Sequence, residues 1–376
     1  MDSDGRQDRR GLKLLTDRSA EPGGFVASAF EPIRLTQARR WAELSVAELA
    51  DAAGLSAAVV EQYEIGAVQP DPDVPADLAR VLKVPVEYFA TGRPMCRIDA
   101  ADVHFDDPGS ASASDRAKAV VFAEYIWELA YTLGCRMRFP ALDLPALEQG
   151  LSPADAARLL RDHWGIAPGP LAHLGATLES RGIVVALAPA TSAAMARVGT
   201  YATHTWGRSL IVVAARHTQC VYGYRFACAR ALGHLLLHPC PLPGDRTQAL
   251  EADRFAAELL VPAEEMDRLC PSPIHFPSPA ALARQWGVPT EVIRRIVRDR
   301  TPRMRSIAAT RTLHHDREPV AEYPGEGPGL LAEAVVRAHN AGFGRTELTD
   351  ELRWNSWLLA EVLGEAQIGP HLSVVH

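Results

Sequence analysis

Lysine is almost absent from this 376-residue chain. It occurs only at Lys13, Lys83 and Lys118, and arginine supplies the other basic residues. Acidic residues outnumber basic ones, 46 to 39, for a formal net charge of -7. That balance excludes a surface built throughout to grip a polyanion. No apolar run approaches the ~20 residues that cross a bilayer. The opening MDSDGRQDRR carries no apolar core of the kind a secretory signal needs. The chain is therefore expected in the cytoplasm with no membrane partner, and its six cysteines are expected as thiols. These are Cys96, Cys135, Cys220, Cys228, Cys240 and Cys270, and no two form a CxxC pair. Small core residues are the simpler reading of them, a zinc knuckle the other.

What is present is an ordinary globular composition, 47% hydrophobic and 23% charged, long enough for two or three domains. Residues 1–29 read as a charged, Gly-rich tail. A helical bundle is predicted over 30–94. PIRLTQARRWAEL opens it, with Pro32 in the first turn. SVAELADAAG follows, in which Ser45 and Glu48 form a capping box and Gly54 ends the helix. Ser56 then caps SAAVVEQYE. Two short helices joined by a Gly-containing turn make a helix-turn-helix pattern.

Residues 95–145 read as a polar linker (DDPGSASASDR) and a long amphipathic helix near 117–137, suited to joining domains or pairing with a second copy. Residues 146–270 read as one mixed domain. Its first helix is capped by Ser152, GIVVALAP is a strand, and GTYATHTW with RSLIVVAA makes two strands around a turn near Gly207. Residues 271–376 read as helical and Pro-punctuated, and SPAALARQWGVPTEVIRRIVRDR again has the helix-turn-helix pattern.

Two further segments carry the chemistry. FACARALGHLLLHP (226–239) is an apolar helix with Arg230 four residues before His234 and an alanine at 231. LEADRFAAELLVP (250–262) is a second helix. A zinc hydrolase places His, Glu and His at the first three of those positions. The two histidines share a metal from one helix face, and the Glu takes a proton from metal-bound water. Here only the last histidine is present. Ala231 can move no proton, and no metal or other cofactor is expected. His238, one turn after His234, suggests either a shifted His-His-Glu set with Glu251 or a cap on the last helical carbonyls. A guanidinium inside an apolar helix demands a partner. The expected one is Glu251, with a snorkelling side chain at the rim as the alternative.

These segments resemble two known families. Residues 30–94 are similar to an XRE-type (Cro/repressor-like) DNA-binding domain. Residues from about 150 to 265 resemble the ImmA/IrrE metallopeptidase-like domain, whose helices read RFTLAHELGHLLLH and EADRFAAELLMP. The resemblance implies an α+β, helix-dominated fold. It places a helix-turn-helix bundle first, a zincin-like domain with a small sheet in the middle and a helical region last. It implies that the family's metal ligands would fall on Arg230, His234 and Glu251, with the general base at Ala231.

In a helix-turn-helix the first residues of the second helix meet base edges. Spacing turns Val59 and Tyr63 toward the core and exposes Ser56, Ala57, Ala58, Glu61 and Gln62. Ser56 and Gln62 can read bases and the alanines can touch thymine methyls. Ser45, at the start of the preceding helix, belongs to the same candidate set. Phosphate contacts are expected from Arg34, Arg39 and Arg40. Between 30 and 94 there are six basic residues against ten acids, so phosphate neutralisation is in short supply.

The first functional reading is therefore a homodimeric DNA-binding regulator. Its peptidase-like cleft, lined by Arg230, Ala231, His234, His238 and Glu251, would take a small or peptidic ligand. The second is a biosynthetic enzyme or accessory protein that uses the same cleft for other chemistry. The third is a partner-binding scaffold.

Overall fold

The computed structural model describes residues 26–106, 111–148, 150–242, 244–269, 277–300, 320 and 325–364. Most of the predicted N-terminal tail, Cys270 and the C-terminal end lie outside these residues. The chain divides into two compact units. Residues up to Thr36 together with Val46–Thr91 form the first, and Gln37–Ser45 together with residues from Gly92 onward form the second.

Helix α1 (Pro32–Trp41), whose residues divide between the two units after Thr36, begins as its proline predicts; in the first unit α2 (Val46–Ala53) ends at Gly54, whose φ of +70° only glycine adopts freely. The next helix, α3 (Ala57–Glu64), is capped by Ser56, whose hydroxyl accepts the Val59 N–H at 3.3 Å. Helix α4 (Val74–Leu82) closes the bundle. Val26 and Ala27, assigned by sequence to the tail, are buried. Phe30 packs 5.7 Å from Phe89 and 6.5 Å from Tyr63, so the packed structure begins before residue 30.

The second unit is built on a four-stranded sheet. Its strands are β1 (Val103–Phe105), β2 (Ile183–Leu187), β3 (Tyr201–Thr205) and β4 (Arg208–Val213), in the order β1-β3-β4-β2. β1 and β4 both run antiparallel to β3, and β2 runs parallel to β4. The three longer strands follow the predicted apolar runs. β1 was not read from the sequence, because three residues are too few for any alternation to register.

Strand alternation sorts the sheet's residues onto two faces. Ile183, Val185, Ala202, Ile211 and Val213 join one core cluster with α9 (Val221–Leu237) and α10 (Arg246–Leu260). On strand β3, Tyr201 has the opposite parity and donates its hydroxyl to the Ala119 carbonyl of α5 (Ala113–Gly134) at 2.8 Å.

Helix α5 departs from the amphipathic surface helix expected there. Sixteen of its 22 residues are buried, so it is a central core helix and offers no stripe for pairing with a second copy. Several of its polar residues, which suggest a wet face, find partners inside the unit. Gln37 donates to Glu124 at 3.0 Å and to Glu128 at 3.1 Å, Lys118 pairs with Glu43, and Arg197 with Asp115. The helix starts within the predicted linker, where Ser112 and Asp115 form a reciprocal capping box.

Before the sheet stands α6 (Pro153–His163), capped by Ser152 as predicted. Two short helices, α7 (Leu174–Ser180) and α8 (Ala193–Val198), flank β2, and α11 (Ala263–Leu269) follows α10. The second helix-turn-helix-like segment forms α12 (Pro279–Trp286) and α13 (Thr290–Arg300) around Gly287 at φ +63°. Its apolar residues Leu282, Trp286 and Ile293 belong to the domain core, so packing accounts for the pattern. The C-terminal region adds α14 (Leu330–Asn340), α15 (Arg345–Leu352) and α16 (Ser356–Leu363). Among the cysteines, Cys96 and Cys228 are buried as core residues, whereas Cys135 and Cys240 are exposed.

Candidate functional site

On α3 the structure exposes Ser56, Ala57, Ala58, Glu61 and Gln62. The inward residues are Val60 and Tyr63, with Val59 only half-buried, which shifts the expected core face by one position. Ser45 is exposed. Of the three arginines expected on phosphates, Arg34 is 1% exposed and is withdrawn from any such contact. Arg39 is half-buried and donates to the Leu44 carbonyl at 3.0 Å, so Arg40 alone is exposed. The α3 surface itself carries no cation, and Arg80 on α4 is committed to Asp77 at 3.0 Å.

The second site is assembled from α9, α10 and β1. The pairs His238 with Glu251, Gly233 with Ala252 and Phe255, and Arg230 with Asp253 run in opposite order along α9 and α10, so the helices are antiparallel. Their close approach depends on Gly233. A Cβ there would lie 2.9 Å from the Phe255 ring and 3.3 Å from the Ala252 Cα. β1 supplies the third side. His104 pairs in register with Ala202, so it shares the face that Ala202 and Ile211 turn toward α9.

Three imidazoles meet there. The His104 ring stacks 5.0 Å from that of His234, at 26°, and lies 6.1 Å from that of His238. His234 Nδ1 is 3.2 Å from His238 Nδ1, and His238 Nε2 is 3.0 Å from Glu251 Oε2. Burial, together with the neighbouring imidazoles and the Arg230 charge, pushes the His234 pKa down to about 3. Burial and the adjacent His238 take His104 down to about 4. Both rings are therefore neutral at neutral pH.

Arg230 does not pair with Glu251. Its Nε stands 2.9 Å from Asp253 Oδ1, and Nη1 contacts Asp106 at the end of β1. Asp253 in turn holds Arg295 of α13 at 2.7 Å. The antiparallel order is the reason. A residue two turns before His238 on α9 meets a later residue on α10, and Glu251 is taken by His238. The His238 side chain likewise does not cap the helix; it bridges His234 and Glu251. Burial depresses the Arg230 pKa, and Asp253 offsets part of that effect.

These residues do not fit the zinc that the helix pattern implies. A cation held by two carboxylates stands at the first ligand position, and the buried Ala231 stands at the base position. His238 engages both His234 and Glu251, so the three form a line of contacts with no shared vacancy among them. No group of three or more His, Cys, Asp or Glu among the described residues is placed to hold a metal ion. The cavity beside Arg230, His104 and His234 measures about 30 Å³, room for water and not for a peptide. Among the described residues, this cavity is smaller than the small or peptidic ligand expected there.

Sequence reasoning missed His104, Asp106 and Asp253. The demand of Arg230 for a carboxylate and the acid two residues beyond Glu251 were the available signals for Asp253.

Comparison with known families agrees with this architecture. Residues 33–90 match the model of a helix-turn-helix domain, and residues 178–297 match that of an IrrE N-terminal-like domain. The chain thus joins an XRE-type helix-turn-helix domain to a peptidase-family domain of the IrrE type. No curated protein and no solved structure matches it.

Proposed function

We propose that this chain is a DNA-binding transcriptional regulator whose IrrE-like domain works without metal-dependent hydrolysis. The observation that carries the reading is the ion-paired Arg230, held by Asp253 at 2.9 Å and by Asp106 where a metal-binding histidine would stand. The domain keeps the packing of a peptidase fold, and the guanidinium supplies the positive charge that joins β1 to α10. The helix-turn-helix domain supports DNA as the partner. Its exposed Ser56, Ala57, Ala58 and Gln62 offer direct base readout and little phosphate neutralisation. Specificity would then rest on base contacts more than on charge. Two copies reading a palindrome is the usual arrangement for this motif, and with α5 buried such pairing would have to use another surface.

The test is an unbiased selection of genomic fragments by the purified protein at low and at moderate salt. Recovery of a palindromic sequence, bound more weakly at the higher salt, supports the reading. Recovery of nothing above background overturns it.

One observation favours a second reading, a repurposed enzyme. The line His104, His234, His238 and Glu251 is a set of groups able to pass a proton. The cavity of about 30 Å³ beside it leaves no room for a substrate, and the regulator is the better-supported reading.

A further inference from the structure

We propose that the second unit binds an aromatic carboxylate in a groove remote from the peptidase-like site, with Arg208 as the partner of the carboxylate. The groove measures about 900 Å³, within the range of small-molecule sites. It lies between the end of α5, the segment 137–142 and the β3–β4 hairpin.

The charge in this groove is one-sided. Arg138 and Arg208 line it, and no Asp or Glu does. Elsewhere in the unit Arg181 pairs with Asp143, Arg225 with Glu326, Arg230 with Asp106 and Asp253, and Arg295 with Asp253, while the buried Arg161 donates to three carbonyls. Arg208 is half-buried and has neither a carboxylate nor a carbonyl partner among the described residues. Its guanidinium lies 5.1 Å from the Phe139 ring, and burial lowers its pKa. Gly134 makes space for it, since a Cβ there would come within 2.7 Å of Nη2. A desolvated guanidinium with free donors binds a carboxylate through two parallel hydrogen bonds.

The walls select an aromatic body. Trp127 and Tyr131 stack at 4.9 Å and 19°. Tyr131 is 41% exposed, and Trp206 at the hairpin tip is 74% exposed. Trp206 is also held at φ +45°, a backbone region a bulky side chain seldom occupies. Large rings presented to solvent around an unpaired cation are a surface that a planar anion would cover. The adjoining hollow, which shares the 137–141 wall, sets Glu179 and Glu333 against Arg138 and Arg337. Its charges are balanced, whereas those of the Arg208 groove are not.

The test uses 1-naphthoate as probe and 1-naphthamide as its neutral isostere, titrated into the full chain by calorimetry and tryptophan fluorescence. Naphthoate is expected to bind saturably and the amide about tenfold more weakly, the cost of losing one charge-assisted contact. Arg208→Gln, its fold checked by circular dichroism, should bring naphthoate to the level of the amide. Trp206→Ala alters only an exposed ring, so it reports even if the arginine variant does not fold. It should weaken both probes and reduce the fluorescence change, leaving the part that Trp127 reports. Absence of saturable binding, equal affinity for acid and amide, or unchanged affinity in either folded variant overturns the proposal. Binding here is independent of DNA recognition, so a chain that takes naphthoate but selects no DNA keeps this site and loses the regulator reading.

Discussion

The Nε of Arg230 lies 2.9 Å from Oδ1 of Asp253, on a helix whose family counterpart would present a metal ligand at that point. One side chain thereby ties α9 to α10 and, through Asp106, to the sheet. Arg230→Met would leave Asp106 and Asp253 in a largely water-free site with less compensation. Losses of this kind run at roughly 1–3 kcal/mol. The variant should unfold at lower denaturant than the parent, with the m-value unchanged. Equal midpoints would show the pair to be structurally idle.

Acid should destabilise the chain through the imidazole cluster. His104 and His234 titrate near 4 and 3 in the folded state, against 6.5 for an ordinary histidine. Between those values the unfolded chain binds protons that the folded chain refuses. This contribution is complete above pH 6.5 and is lost as pH falls through the window. Denaturation midpoints measured from pH 7 down to pH 4 should fall, and His104→Gln should flatten the slope.

Glu179 acts with the opposite sign. Burial raises its carboxyl to about 7 from 4.5, although the Gly329 and Leu330 N–H groups at the start of α14 donate to it at 3.0–3.2 Å. The folded state then holds a proton that the unfolded state has released. The extra stability is full below pH 4.5 and lost as pH rises toward 7. Glu179→Gln keeps an acceptor for α14 and removes this dependence. Its midpoint should exceed the parent's near pH 8 and converge with it near pH 4.

DNA affinity should be governed by contacts more than by charge. Gln62→Ala is expected to weaken binding to a selected site by about 1–3 kcal/mol, the worth of a bidentate base contact. It should leave the salt dependence unchanged, because no phosphate contact is lost. A change in salt slope, read by gel shift at several salt concentrations, would contradict the assignment.

Much of this was legible in the sequence. Gly54, Ser56 and Ser152 mark helix ends because capping and positive φ restrict residue choice. The small sheet followed from GIVVALAP and the hairpin at Gly207. The partner of Arg230 was not legible, because it depends on the antiparallel order of α9 and α10 and on a three-residue strand with no periodic signal. The burial of Arg34 was hidden for a related reason. Helix α1 buries Arg34, Leu35, Gln37, Ala38 and Trp41, more than one face, so its polar residues do not mark solvent. In α5, Lys118, Glu124 and Glu128 suggest a wet stripe, and only the positions of Gln37 and Glu43 reveal that the carboxylates accept hydrogen bonds and the ammonium is ion-paired inside.

The measurement that bears most directly on the account is the zinc content of the purified full chain after dialysis against buffered free zinc, alongside its thermal stability with and without the metal. A closed, ion-paired site predicts no retained zinc and an unchanged melting temperature. Stoichiometric zinc with a raised melting temperature would mean that His234, His238 and Glu251 open around a metal, and the assignment of Arg230 to the metal's place would be wrong.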